Sequence, residues 1–258
     1  VTDTKRNAVE KKHSATGALP QGATGEREAS QAVQQMFDSV APRYDLLNHV
    51  LSANIDRFWW WRAARTFDHI LRRPDTRVLD ICCGTGDMAL ALRRRAPLGA
   101  QPFFAADFSH EMLRRGEEKF RGRGVIAIEA DALTLPFAAG SFDLVTSAFG
   151  FRNLVNYQAG LAEIFRVLRT GGEVGILDFS EPGGLLGKFY AFYFRRVLPK
   201  IGGFLSGDSA AYSYLPMSVE RFPAPPQMLE QMRSAGFADV SWTPYTFGIA
   251  GLYRGRRP

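Results

Sequence analysis

Hydrophobic and polar positions divide the chain into a helical opening and a long alternating body. From Ser30 onward apolar residues recur at helical spacing, first as Val33, Met36, Phe37 and Val40, then as Leu46, Leu47, Val50 and Leu51, with a break at Pro42. A further helix is predicted from Ile55 to Leu71, containing Phe58-Trp59-Trp60-Trp61, and Pro74-Asp75 closes this part. Residues 1–29 are almost free of large apolar side chains, which predicts a disordered tail. From Thr76 the pattern changes. Strand-like runs at 77–82, 102–106, 125–129, 142–148 and 173–179 are separated by helical patterns at 87–95, 109–120 and 156–169. Ser109 suits an N-cap, with Glu111 in the first turn, and Gly171-Gly172 should end the helix that reaches Arg169. Beyond Pro182 the pattern predicts an apolar helix over Leu185 to Leu198, a loop over 202–216 and a short helix at 225–235. Two last strands follow at 238–246 and 249–255, around Gly248. The fold class this implies is α/β: a doubly wound, mostly parallel, seven-stranded sheet with an antiparallel C-terminal strand pair and an N-terminal helical extension. Residues 30–258 read as one domain, with 30–73 a helical lid over a core at 74–258.

Composition narrows the class. Apolar residues make up 46% and charged residues 22%, ordinary for a soluble globular chain. The net charge of +6 is spread over short arginine clusters such as Arg93-Arg94-Arg95 and Arg195-Arg196. These fit solvated helix ends first, a lipid surface second and nucleic acid third. No run reaches the ~20 apolar residues of a spanning helix. The only cysteines, Cys82 and Cys83, are adjacent, so a disulfide framework is excluded and a reducing cytoplasm is expected. They read as small core side chains at a strand end. No metal-ligand spacing is present.

The chemistry gathers at the ends of the strands. Arg77 to Asp87 runs from a β-rich segment through Gly84-Thr85-Gly86 into a helix. The glycines admit a ligand to the backbone, and the helix start offers free N–H groups. The third glycine of a dinucleotide motif is replaced by Ala89, and Asp87 follows the turn. A carboxylate there repels a pyrophosphate and favours a donor with a hydroxylated sugar and a cationic part, such as S-adenosylmethionine. Asp107 lies 21 residues after Gly86, where an acid can accept from both ribose hydroxyls. Asp131-Ala132, after the third strand, can meet an adenine edge. Arg152-Asn153, after the fourth strand, stands where substrates of open α/β sheets bind. Taken alone, each of these acids is also a plain turn residue, and Arg152 also a surface ion-pair partner.

The chain resembles the menaquinone/ubiquinone biosynthesis C-methyltransferases, class I enzymes with a Rossmann-like fold. The segments that carry the resemblance are Tyr44-Asp45-Leu46-Leu47-Asn48, Phe149 to Asn153, Arg166 to Gly172 continuing to Ser180, Ser206-Gly207-Asp208, Ala211 to Pro216 and Thr246 to Ile249. The resemblance implies S-adenosylmethionine held by Thr85, Asp107 and Asp131-Ala132, with Gly84, Gly86 and Asp80 in the same set. It implies a polyprenylated quinol as substrate. Arg152 would stabilise developing phenolate charge, Asn153 would orient a hydroxyl or water, and Tyr44 or Asp131 would relay a proton. Ala148 replaces a family serine, and Arg169-Thr170 replaces Lys-Pro in what should be a neutral turn.

Trp59 to Trp61 and Leu185 to Leu198 are expected to line an apolar channel or touch the bilayer, although core packing explains the tryptophans as well. Since consecutive residues cannot share one helix face, one tryptophan should face solvent or a partner. The implied location is cytoplasmic, peripheral on the inner face of the cytoplasmic membrane, with homodimerisation left open. Demethylmenaquinol is the leading substrate. A 2-methoxy-6-polyprenyl-1,4-benzoquinol, another small molecule, and a non-catalytic cofactor-binding module are the alternatives. A nicotinamide oxidoreductase is disfavoured by the missing glycine and the paired last strands. A nucleic-acid methyltransferase is disfavoured because Ser147 to Asn153 stands where base-directed enzymes carry a Pro-Pro motif.

Overall fold

A computed structural model of the chain describes residues 17–20, 22–44, 52, 54–180, 182 and 209–258. The body is a single sheet in the order β3-β2-β1-β4-β5-β7-β6. Its strands are β1 (Val78–Ile81), β2 (Phe103–Asp107), β3 (Val125–Glu129), β4 (Phe142–Ala148), β5 (Leu168–Phe179), β6 (Ala238–Tyr245) and β7 (Ala250–Arg256). The first five pair with one another in parallel. β7 runs antiparallel between β5 and β6, from Glu173↔Arg256 to Phe179↔Ala250. β1 and β4 are buried on both faces, and the polar residues they carry, Asp80 in β1 and Asp143, Thr146 and Ser147 in β4, are buried with them. The strand order reverses beside β1, so the C-terminal ends of β1, β2 and β4 open onto one crevice.

Helices cover both faces. The described ones are α1 (Glu26–Val40), α2 (Ile55–Thr66), α3 (Asp68–Leu71), α4 (Asp87–Arg93), α5 (His110–Phe120), α6 (Tyr157–Val167), α7 (Ser209–Arg221) and α8 (Pro225–Ser234). Ser109 caps α5 by accepting from the Met112 N–H, and Asn156 caps α6 by accepting from the Ala159 N–H. One core layer packs Leu161, Ile164 and Met228 against Val145 and Ile176. The opposite layer packs Trp59, Phe67 and Leu71 against Leu144 and Leu177.

Several sequence expectations change. The described part of the tail expected over 1–29 is ordered: Gly17 and Ala18 donate to the carbonyls of Val155 and Leu154, Ala18 is buried, and α1 already begins at Glu26. The helix expected from Ile55 to Leu71 breaks at Phe67, whose fully buried ring fills the space a side chain at Gly175 would occupy. The helix before β5 ends at Val167 rather than Arg169. Gly171-Gly172 is not its stop signal, because Leu168 already pairs with Phe142, and Gly171 and Gly172 exchange hydrogen bonds with Arg257. Arg169 is tied to Asp143 and so is more than a turn residue. Part of the loop expected over 202–216 is α7, with Pro216 inside it. The helix expected over Leu185 to Leu198 and the pattern from Leu46 to Leu51 lie outside the described residues.

Candidate active site

The turn after β1 is built by backbone conformations that few side chains accept. Cys82, Gly84 and Gly86 have φ of 49°, 55° and 84°. A Cβ on Gly86 would also lie 2.1 Å from the Phe120 ring of α5. This glycine is therefore required by packing behind the turn. Gly84 faces the other way, and the nearest atom to its absent Cβ is Cε1 of Tyr44 at 3.8 Å.

Asp107 ties this turn to its neighbour. Its Oδ2 accepts from the Gly84 N–H at 2.7 Å and its Oδ1 from the Ser109 N–H at 2.9 Å. Each oxygen keeps a further lone pair for a hydroxyl donor. Burial pushes the Asp107 carboxyl up to about 6 against the pull of these N–H groups. Below the turn, the Thr146 hydroxyl donates to Asp80 Oδ1 at 2.6 Å, while Oδ2 is buried with no acceptor contact used among the described residues. Burial lifts the Asp80 carboxyl to about 7.

Lys119 on α5 is a residue that sequence reasoning missed. Its ammonium donates to Thr85 Oγ1 at 2.9 Å and to the Asp87 carboxylate at 3.2 Å. Asp87 is thus partly neutralised, and its charge alone is a weaker argument against pyrophosphate than the sequence suggests. The crevice supplies a better one. Among the described residues, Asp56, Asp87, Asp107 and Asp131 line it, against one guanidinium, that of Arg152. A cationic ligand is favoured by that balance and a pyrophosphate is not.

Arg152 forms the opposite wall, in the 3-10 turn Phe151–Asn153 after β4. Its Nη1 donates to Asp178 Oδ1 at 2.9 Å and to the Phe149 carbonyl, its Nε to Ser218 Oγ at 3.3 Å, and its backbone N–H to Asp178 Oδ2 at 3.1 Å. Burial raises the Asp178 carboxyl, opposed chiefly by the Arg152 charge. Arg152 therefore brings no free cation. The donors left to a ligand are those of Nη2, which bonds no described residue. Tyr214 of α7 donates to Asn153 Oδ1 at 3.2 Å, fixing that amide. Asp178 and Tyr214 lay within segments that marked the family but carried no assigned role. An acid ending an apolar strand was the available signal for Asp178, because a buried carboxylate needs a partner.

Between the walls lies a cavity of about 560 Å³. Tyr44, Gly84, Thr85, Asp107, Asp131, Ala132, Arg152 and Asn153 all line it. Asp80 and Gly86 stand behind the turn instead. Asp131 Oδ1 is used by the Leu133 N–H at 2.9 Å. Phe149, held at φ 57°, sets its ring 4.6 Å from Phe179 and 5.7 Å from Trp59, an aromatic surface suited to a flat ring. The Trp cluster splits as helix geometry requires: Trp59 is buried and donates to Thr246 Oγ1 at 2.8 Å, Trp60 lines the cavity and Trp61 is exposed. Both cysteine thiols are pushed well above their usual range, by burial first and then by Asp107, so neither is an activated nucleophile. Among the described residues no cluster of side chains fits a metal ion.

Known proteins resemble this chain in sequence and in fold. The model of the ubiE/COQ5 methyltransferase family matches residues 25–257. The chain is 48% identical over 226 residues to demethylmenaquinone methyltransferase of Thermus thermophilus, covering 86% of this chain and 100% of that protein. It is 43% identical over 236 residues to the ubiquinone/menaquinone biosynthesis C-methyltransferase of Geotalea daltonii, covering 89% and 98%. In fold it resembles a SAM-dependent methyltransferase from Thermotoga maritima, with a TM-score of 0.59 at 18% identity over 88% of this chain and all of that one.

Proposed function

The chain belongs to the ubiE/COQ5 methyltransferase family, and on that premise we propose that it methylates a ring carbon of a polyprenylated quinol, demethylmenaquinol before a benzoquinol. One observation carries the reading. A single cavity joins an acidic wall, with Gly84, Asp107 and Asp131, to an aromatic wall that carries Arg152 and Asn153. The naphthoquinol preference draws on the Thermus thermophilus relative, which is named for demethylmenaquinone.

S-adenosylmethionine, when bound, supplies an electrophilic sulfonium methyl. Asp107 would hold its ribose hydroxyls, Thr85 and Gly84 would line the turn, and Asp131-Ala132 would meet the adenine. The acids around the turn favour its positive charge. The residues of the opposite wall would then handle the quinol. Phe149, Phe179 and Trp59 hold the ring flat, which aligns the reacting carbon. The Arg152 Nη2 donors lower the cost of phenolate character on the adjacent oxygen, as hydrogen-bond donors already fixed in place by Asp178 and Ser218. Asn153, fixed by Tyr214, orients a hydroxyl or water. Tyr44, against Gly84, or Asp131 relays the displaced ring proton toward solvent, directly or through water.

The prenyl tail places this chemistry at a bilayer. No described helix is long and apolar enough to cross one, so the contact we propose is peripheral, on the cytoplasmic face. Quinone profiling of a host lacking this protein tests the reading. Demethylmenaquinone should accumulate and be cleared by the native chain but not by Asp107→Ala. Accumulation of a demethylated benzoquinone alone would select the other ring.

A further inference from the structure

The mouth of the cavity is bordered by an apolar and basic edge that the chemistry does not use. Ile55, Trp59 and Trp60 of α2 line the cavity, and so do Thr246 and Ile249 of the β6–β7 turn. At about 100° per residue, the positions leading away from buried Trp59 around α2 are Ile55, Arg62, Phe58, Arg65, Trp61 and Arg57. Phe58 is 50% exposed and Trp61 45%, and their rings stack at 5.8 Å. Arg65 lies over the Trp61 ring. Arg57 and Arg65 are exposed and form no ion pair with a described residue. The one acid of the helix, Asp56, is buried.

The β6–β7 turn extends this edge. Its base is fixed: Trp59 bonds Thr246, Arg62 lies 4.3 Å over the Tyr245 ring, and Ser180 donates to the Gly248 carbonyl at 2.7 Å. Its tip holds Phe247 at 84% exposure through two consecutive non-glycine residues in the left-handed region, Thr246 at φ 45° and Phe247 at φ 57°. Backbone strain is maintained here to keep a phenyl ring in water, which favours no monomeric state.

We propose that Phe58, Trp61 and Phe247, with Arg57 and Arg65, form a docking surface for an anionic phospholipid bilayer. The surface seats the cavity mouth on the membrane and admits the prenyl tail from the lipid side. The inference rests on the quinol reading. Aromatic side chains beside arginines are the composition that settles at the headgroup level: the rings enter the acyl boundary and the guanidinium groups meet lipid phosphates. A second copy of this chain would meet like charges across this edge, whereas an anionic leaflet is complementary to it.

Vesicle partition of the full-length chain tests this. The native protein should bind phosphatidylcholine vesicles containing phosphatidylglycerol and bind pure phosphatidylcholine several-fold less. Lipids brominated on the acyl chains should quench its tryptophan fluorescence. The triple variant F58S/W61S/F247S should lose binding by about tenfold or more. R57Q/R65Q, which keeps the apolar surface, should lose about fivefold for each arginine. Methylation of a short-tailed demethylated naphthoquinol in buffer should be unchanged in both, while turnover of a long-tailed quinol in vesicles falls with binding. Equal vesicle binding by native and variant proteins would overturn the proposal, as would native protein that ignores both lipid mixtures. Absence of turnover by the native chain in buffer would sink the quinol reading alone, and partition and quenching would still decide the surface.

Discussion

Arg152 and Asp178 form a buried ion pair, Nη1 to Oδ1 at 2.9 Å with side chains 7% and 0% exposed, at the point where the substrate wall meets the core. The pair explains how a guanidinium sits beside an aromatic cavity. It also fixes which donors remain for a ligand. Asp178→Ala leaves a buried cation without its partner and should cost about 3–5 kcal/mol of stability, read by denaturant unfolding. Arg152→Lys keeps a charge but loses the planar fork, so turnover should fall further than stability. A variant with unchanged turnover and intact cofactor binding would remove Arg152 from the chemistry.

Lys119 should act on cofactor affinity rather than on the quinol. Lys119→Met removes the cation that neutralises Asp87 beside the cofactor turn and should lower KM for S-adenosylmethionine by up to about fivefold, near 1 kcal/mol for a part-exposed contact. KM for the quinol should stay level, and Lys119→Arg should return KM toward the native value. A selective change in quinol KM would show that the residue acts elsewhere.

The ionisation of Asp107 should appear in cofactor binding. Its ordinary value of 3.8 rises to about 6 in the fold, through burial, with Asp38 adding to the rise. The native state then holds this proton more tightly than the unfolded chain. The stability it contributes is fully present below about 3.8 and is lost as pH rises to about 6. Ribose hydroxyls need the carboxylate, so affinity should move the other way. The Kd for S-adenosylmethionine should fall up to about tenfold per unit toward pH 6 and level off above it. Asp107→Asn should flatten the profile. A flat profile in the native protein would contradict the assignment.

Tyr214 should matter through Asn153. Tyr214→Phe removes one donor to the amide oxygen and should cost about 1 kcal/mol in stability. Turnover with quinol should fall while calorimetric binding of S-adenosylmethionine stays unchanged. Weakened cofactor binding with normal quinol turnover would reverse that assignment.

The sheet was legible in the sequence because its strands are short apolar runs closed by glycine or acid, and Asp107 and Asp131 stand where those runs end. Errors came where tertiary packing overrode local pattern. Gly171-Gly172 resembles a helix stop, yet the pairing of Leu168 with Phe142 had already ended the helix. Phe67 sits in an unbroken helical pattern, and only its burial against Gly175 explains the break. The cofactor turn and Arg152-Asn153 could be placed from strand order. Their partners could not. Lys119 reaches Asp87 from 32 residues away, and Asp178 reaches Arg152 across 26, distances that no local pattern encodes.

The central claim is carbon methylation of a reduced quinol in this cavity. Purified protein should be given methyl-labelled S-adenosylmethionine with demethylmenaquinol and, side by side, a 2-methoxy-6-polyprenyl-1,4-benzoquinol. The product should be analysed by mass spectrometry with fragmentation. The prediction is label on a naphthoquinol ring carbon, faster than on the benzoquinol and lost in Asp107→Ala. Label on oxygen, or no transfer to either ring by a protein that binds S-adenosylmethionine, would contradict it.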